Sequence, residues 1–384
     1  MSKDNKYIPS GYKPSPLGPI PEDWEVKRLG EICTHFKSGI TITSKDIHED
    51  GLYPVYGGNG LRGYANTFTH DGSYILIGRQ GALCGNVNYV DGKNYISEHA
   101  IAVQTNENMQ WLKYKLENWN LNRFSESSAQ PGLSVEKLVR YKLSVPTLKE
   151  QNKIADILSL WDAAIAKQTA LIEQLTLRKR GLMQQLLTGK KRLKGSEGGN
   201  FHRLGNYISE CNRRNAGCNR VLSVTNTKGF ILQEEQFDKI VASNDTSNYK
   251  VVRRGEFAYN PSRVNVGSLA MLNDYDEGIL SPMYIVFKAN ENIDKTYLLQ
   301  CLQSWWFRGH IPAYTQGSVR DSLSFDGLCS MKFYIPTLQE QKAISSILER
   351  ADKEIEIQKK KLAAMQEQKK GLMQVLLTGK KRIK

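Results

Sequence analysis

The chain contains no apolar run approaching the ~18 residues that a membrane-spanning helix needs. Its opening residues, Met1-Ser-Lys-Asp-Asn-Lys, are polar and lack the apolar core of a secretory signal, so a cytoplasmic location without membrane contact is expected. The six cysteines (Cys33, Cys84, Cys211, Cys218, Cys301 and Cys329) form no C-x-x-C pair and no Cys/His cluster with zinc-finger spacing. They read as reduced, structural thiols, and no metal site is expected. No Walker A sequence is present, which removes the signature of an ATP motor, and no carboxylate spacing singles out a nuclease metal site. What remains is a chain of 384 residues, 40% hydrophobic and 24% charged, the composition of a folded protein of two or three domains.

The charge is unevenly placed. The net charge is +14, which suggests a polyanionic partner. Residues 149–194 and 336–384 each carry a net +6, whereas residues 1–148 and 195–335 carry only +1 each. Phosphate neutralisation supplies most non-specific DNA affinity, so a nearly neutral domain needs a local basic face or a partner that brings the charge.

The two basic segments are copies of one another. Pro146-Thr-Leu-Lys-Glu-Gln matches Pro336-Thr-Leu-Gln-Glu-Gln, and Gly181-Leu-Met-Gln-Gln-Leu-Leu-Thr-Gly-Lys-Lys-Arg matches Gly371-Leu-Met-Gln-Val-Leu-Leu-Thr-Gly-Lys-Lys-Arg, with no gap between. The long segments repeat faintly, as in Arg28-Leu-Gly-Glu and Arg203-Leu-Gly-Asn. Two copies are too few for a solenoid and indicate a pseudo-dimer made by duplication. The expected domains are 1–145, with a Pro-rich lead-in over 1–23, then a helix in 146–194, a second domain over 195–335 and a second helix in 336–384.

Each helix has clear punctuation. Thr147 with Glu150, and Thr337 with Glu340, fit capping boxes, and Gly189 and Gly379 suit the position just past a helix end. Apolar residues alternate spacings of four and three from Ile154 to Leu186 and from Ile344 to Leu376, the seam of a coiled coil. Compact domains tend to have neighbouring termini, so the second domain, entered from one helix and left by the other, predicts antiparallel helices with the two domains at opposite ends. Gln168 and Gln358 are seam residues at the midpoints of the helices, candidates for a register-setting pair of amides. Leu182, Met183, Leu186 and Leu187, with Leu372, Met373, Leu376 and Leu377, give the helix ends more apolar width than a two-helix seam requires, which suits docking of a partner helix or packing on the chain's own domains.

The two long segments read as α+β and rich in short strands. Ser73-Tyr-Ile-Leu-Ile-Gly is a strand entering a Gly-rich turn; Gly255-Glu-Phe-Ala-Tyr leads to Asn260-Pro-Ser-Arg; Tyr284-Ile-Val-Phe is another apolar strand. Gly57-Gly-Asn-Gly marks a tight loop. The fold class expected is α+β, two similar strand-rich domains separated by two long helices forming an antiparallel coiled coil.

Four sequence features then carry a family resemblance. Pro16-Leu-Gly-Pro-Ile-Pro-Glu-Asp-Trp, Gln130-Pro-Gly-Leu-Ser before the first helix, the Pro-x-Leu-x-Glu-Gln helix starts and the Gly-Leu-Met-Gln-x-Leu-Leu-Thr-Gly helix ends resemble, in order, the specificity subunits of Type I restriction–modification systems. The second domain departs from this pattern, with Gln316-Gly-Ser-Val-Arg-Asp-Ser-Leu-Ser in place of Q-P-G-L-S. The resemblance implies a non-catalytic, sequence-specific reader of double-stranded DNA. Each domain would read one half of a bipartite site, and the helices would set the spacer and dock two methyltransferase subunits. Translocase–nuclease subunits would join the assembly. S-adenosylmethionine, ATP and magnesium would belong to the partners, with no cofactor on this chain.

Base edges are read best by Arg on guanine and by Asn or Gln on adenine. Such residues in turns beside glycine or proline are Asn59, Arg62, Arg79, Gln80, Asn86 and Gln130 in the first domain, and Arg213, Arg214, Asn260, Arg263, Asn265, Gln316 and Arg320 in the second. Ser128, Ser262 and Ser318 are candidates for phosphate contacts. Arg79 and Arg263 lead, because each follows a strand into a tight turn. Each of these residues is also what an ordinary solvated turn would contain. Asn260-Pro-Ser-Arg resembles the catalytic tetrad of adenine methyltransferases but lacks its final aromatic residue, which stacks on the flipped base. A sequence-independent DNA-bridging scaffold is the alternative from another class. It accounts for the basic helices but not for two similar, nearly neutral domains.

Overall fold

A computed structural model of the chain describes residues 8–81, 83–125, 132–226, 228–236, 245–315 and 322–383. It divides into two compact units, residues 1–169 with 361–384, and residues 170–360. Each unit is a globular segment completed by a piece of both long helices. No helix among the described residues is long and apolar enough to cross a membrane.

The first unit contains β1 (Glu25–Arg28), β2 (Cys33–Ser38), β3 (Tyr53–Gly57), β4 (Gly60–Ala65), β5 (Tyr74–Gly78), β6 (Val87–Val90), β7 (Tyr95–Ile96), β8 (Ala100–Thr105), α1 (Met109–Asn118), β9 (Lys142–Val145) and the first part of α2 (Leu148–Leu186). An antiparallel sheet runs in the order β2-β8-β5-β6, a second β4-β3-β7, and β9 pairs with β1. The apolar run Tyr74-Ile-Leu-Ile is buried on both faces, because alternate residues of a strand enter different layers. Ile75 and Ile77 join Trp24, Trp111 and the helices in the main core. Tyr74 and Leu76 join a smaller core with Ile96 and Ala102.

The second unit repeats this plan with β10 (Gly199–Arg203), β11 (Ile208–Glu210), β12 (Phe257–Tyr259), β13 (Leu269–Met271), β14 (Ile285–Ala289), α3 (Lys295–Gln303), β15 (Lys332–Pro336) and the first part of α4 (Leu338–Leu376). Its sheet order, β11-β14-β12-β13, is that of the first unit, and β10 pairs with β15 as β1 does with β9. Phe257, Tyr259 and Phe287 enter the helix-facing core, and Ala258 and Val286 the other layer. The fold class read from the sequence is the one found.

The P-T-L-x-E-Q starts of the two helices perform the same task twice. Thr147 and Thr337 accept the backbone N–H of Glu150 and Glu340 through their hydroxyls, both at 3.4 Å. The fully buried Gln151 accepts the N–H of Asn108, the N-cap of α1, at 2.9 Å and donates to the Pro146 carbonyl at 3.0 Å. Gln341 does the same for Asp294, the N-cap of α3, at 2.7 Å, and for Pro336 at 2.9 Å. The expected capping boxes are only half present. The Glu150 carboxylate, instead of returning to its own helix, accepts from the Trp24 indole at 2.8 Å and from the Arg382 guanidinium at 2.8 Å.

The far ends of the helices close on the predicted glycines, Gly189 at φ +69° and Gly379 at φ +74°, a left-handed conformation that glycine adopts freely. Within the first unit the end of α4 docks on the globular segment: Leu376 and Leu377 are buried beside Trp24, Leu143 and Ile154. The Lys115 ammonium, buried so deeply that its pKa is pushed down to about 7, donates to the Leu377 carbonyl at 2.6 Å and the Ser144 hydroxyl at 3.1 Å. Within the second unit Leu186 and Leu187 are buried beside Ile344 and Leu348.

In each unit the two helices run antiparallel, held by one lysine–aspartate pair. Lys369 reaches Asp162 at 2.5 Å in the first unit, and Lys179 reaches Asp352 at 2.6 Å in the second. Both lysines are seam positions of the heptad pattern. They are copies of each other, 190 positions apart, as are the aspartates. Gln168 is buried and Gln358 half-buried, one in each unit.

A lysine–aspartate pair that is partly exposed contributes about 1 kcal/mol. Replacing Lys179 by Asp should therefore lower stability by about that amount in a denaturant melt, and adding Asp352→Lys to the same chain should recover most of it. Recovery of none would show that the pair does not couple the helices.

Candidate nucleic-acid interface

In the first unit three turns converge. The β3–β4 hairpin turns at Gly58-Asn59, with Gly60 at φ +94°, the glycine-rich chemistry that a tight hairpin needs. The turn after β5 and the segment before β8 pack against it. A Cβ on Gly58 would lie 2.7 Å from the His99 carbonyl, and one on Gly78 would lie 2.5 Å from the Gly58 carbonyl. Only two glycines allow this approach. The Arg79 N–H donates to the His99 carbonyl at 2.9 Å. Arg62 lies across Gly57, whose Cβ would stand 2.6 Å from its Cδ. Asn59, Arg62, Gln80 and Asn86 are exposed and Arg79 is half-buried. The Asn86 carbonyl accepts from Gly78 at 2.8 Å, which closes the β5–β6 turn. The structure thus brings Asn59, Arg62, Arg79 and Gln80 together and adds His99, whose Nδ1 lies 3.3 Å from the Gln80 side-chain oxygen.

The Q-P-G-L-S stretch arrives at the same place. The Leu133 N–H donates to the Arg79 carbonyl at 2.9 Å, and Gly132 pairs with Gln80. Ser134 caps the short helix that follows. Ser128 and Gln130 lie outside the described residues.

The second unit builds the corresponding turn. The Leu323 N–H donates to the Pro261 carbonyl at 3.1 Å, and Ser324 caps the next helix. Leu323 and Ser324 are therefore the structural partners of Leu133 and Ser134, which settles the alignment that the altered motif left open. Gln316, Ser318 and Arg320 lie outside the described residues. Ser262, Arg263 and Asn265 are exposed. Asn260 is only 8% exposed. Its side-chain oxygen accepts the Ser262 N–H at 3.1 Å, and its amide nitrogen faces the Met283 sulfur at 3.8 Å. The Asn260 carboxamide is a turn former, which accounts for the tetrad without a catalytic role.

Arg213 and Arg214 are not in that group. Arg213 forms a charge pair with Glu256, which is buried. Hydrogen bonding to this carboxylate raises the Arg213 pKa above its ordinary value. Glu256 also accepts the Arg253 N–H at 2.8 Å, and Arg214 donates to the Asn248 carbonyl. Both arginines tie the strand Lys250–Arg253 to the end of β11.

At the helix ends, Leu186, Leu187, Leu376 and Leu377 pack on the chain's own domains. Leu182, Met183, Leu372 and Met373 pack at the edges of the same cores and remain partly exposed. Of the two readings that the sequence allows, the buried four take the inward one.

Residues 21–177 and 227–367 each match the family described as the Type I restriction modification DNA specificity domain. The chain belongs to that family. It is similar to the Type I restriction enzyme EcoprrI specificity subunit of Escherichia coli, 45% identical over 142 residues, a stretch covering 35% of each chain. It is also similar to the MjaVIII specificity subunit of Methanocaldococcus jannaschii, 27% identical over 417 aligned positions that cover 95% of this chain and 94% of that one. The crystal structure of the Type I restriction–modification S subunit from M. genitalium shares the fold, with a TM-score of 0.58 at 15% identity over 92% of this chain and 96% of that one.

The two kinds of arginine predict different phenotypes. Arg213→Ala leaves the buried Glu256 carboxylate without its cation and should lower stability by about 1–3 kcal/mol. Arg263→Ala should leave the melting curve unchanged and weaken DNA binding instead, by about 1–3 kcal/mol if it forks onto a base. Melting and binding measured on both variants check the division.

Proposed function

We propose that this chain is the non-catalytic, sequence-specific DNA-binding subunit of a Type I restriction–modification complex, in which each globular domain reads one half of a bipartite site. The observation that carries the reading is the repeated turn. In each unit the central strand of the same four-stranded sheet, β5 or β12, runs into a turn bearing an arginine, Arg79 or Arg263. That turn is held by the backbone of a matching leucine, Leu133 or Leu323. A single reader would need one such turn, and a sequence-independent scaffold none. Arg79, Gln80, Arg62 and Asn59 are the base-reading candidates of the first domain, and Arg263, Asn265 and Ser262 those of the second.

The long helices then set the spacer between half-sites. They also offer Leu182, Met183, Leu372 and Met373 as docking positions for two methyltransferase subunits, with Gln168 and Gln358 as candidate register residues. Methyl transfer, cleavage and translocation belong to the methyltransferase and translocase–nuclease subunits, which would hold S-adenosylmethionine, magnesium and ATP. The +6 carried by each helical segment supplies phosphate attraction that the nearly neutral domains lack.

Domain exchange tests the proposal. Residues 200–335 are replaced by the matching domain of a relative, and the sites methylated by the assembled complex are mapped across a genome. One half-site should change and the other should persist. A simultaneous change of both would show that the domains are not independent readers.

A further inference from the structure

The residue two positions before the one facing Ile77 of β5, or Tyr259 of β12, is His99 in the first unit and Met283 in the second. Ile101 lies opposite Ile77, and Ile285 opposite Tyr259. Ile77 and Tyr259 each stand two residues before the carbonyl, of Arg79 or Pro261, that accepts from Leu133 or Leu323. His99 and Met283 therefore occupy one structural position. Each reaches across to the reading turn: His99 Nδ1 to the Gln80 side chain at 3.3 Å, and Met283 sulfur to the Asn260 amide at 3.8 Å. The position is polar in one domain and apolar in the other.

Met283 is 61% exposed, although Tyr284 beside it is buried. A lone exposed apolar side chain is ordinary on a protein surface. This one is different in its place, because it stands against the turn that carries Ser262 and Arg263. Val266, in that same turn, is 57% exposed. The apolar feature of a base edge in the major groove is the C5 methyl group of thymine, and a flexible, polarisable thioether suits an irregular contact of that kind. The geometry points to Met283 as a specificity-determining residue that contacts the C5 methyl group of a thymine in the second half-site. This rests on the proposal that the turn after β12 reads DNA.

The test uses the complete chain assembled with its methyltransferase and duplexes carrying the mapped site, in which each thymine of the second half-site is replaced in turn by uracil, which lacks the methyl group. The wild-type complex should bind one of these duplexes about fourfold more weakly, the worth of one buried methyl group. The Met283→Ala complex should bind that uracil duplex and its thymine parent equally. Indifference of the wild type at every position, a second half-site without thymine, or an undiminished uracil penalty in Met283→Ala would each overturn the assignment. Arg263→Ala separates the two levels of the argument. If it weakens recognition of the second half-site while Met283 proves silent, only this inference falls. If it leaves that recognition intact, the reading of the turn falls with it.

Discussion

The antiparallel course of the two helices is the constraint on which the structure depends. Because α2 and α4 run in opposite directions, each globular segment is completed by the helix end belonging to the other repeat. Leu376 and Leu377 seal the core that contains Trp24 and Leu143, and Leu186 and Leu187 seal the core that contains Ile344 and Leu348. Emptying one such buried leucine site costs about 2–5 kcal/mol, several times the worth of a partly exposed lysine–aspartate pair. Burial therefore anchors the helix ends. The pairs Lys369–Asp162 and Lys179–Asp352 supply direction and register, because apolar contacts alone discriminate weakly between neighbouring heptad alignments.

The first unit has a latch that, among the described residues, the second lacks. Glu150 is buried and holds both Trp24 and Arg382, and Arg382 also reaches Asp23 at 2.7 Å. These carboxylates raise the Arg382 pKa further. The copy of Glu150 is Glu340, equally buried, with one carboxylate oxygen that has no hydrogen-bond partner among the described residues. By strand register, Gly199 stands where Trp24 stands in the first unit: Arg28 pairs with Lys142 and Arg203 with Lys332. The duplication has kept the starts and ends of the helices nearly identical, while their middles and the segments that pack on them have diverged.

Much of this was legible in the sequence. Both helices lie where their heptads and glycines place them, 39 residues each, and the apolar runs at 73–78 and 284–287 are central strands. Local rules failed where the partner is remote. Glu150 fits a capping box by spacing, yet its partners are 126 and 232 residues away. Arg213 has the right side chain for a base contact but is bound to Glu256 by a pairing that no spacing reveals. His99 and Met283 are not among the Arg, Asn and Gln residues that best read base edges, and neither stands beside a glycine. Their place beside the turns after β5 and β12 follows from strand register, which a two-residue periodicity does not specify across strands. A sharper signal existed: Gly58 and Gly78 both lack side chains because two backbones touch there.

The central claim, that the chain is two self-complementary halves, has a direct test. Of the residues through which the end of α4 completes the first unit, Lys369, Leu376, Leu377, Gly379 and Arg382 have identical copies at the end of α2, namely Lys179, Leu186, Leu187, Gly189 and Arg192, while Val375 and Ile383 are matched by Gln185 and Leu193. Residues 1–194 produced alone should therefore form a homodimer in sedimentation equilibrium, with Lys179 of each copy paired to Asp162 of the other. Lys179→Asp should weaken that dimer, and adding Asp162→Lys should restore it. A monomeric fragment, or a dimer indifferent to both substitutions, would contradict the account.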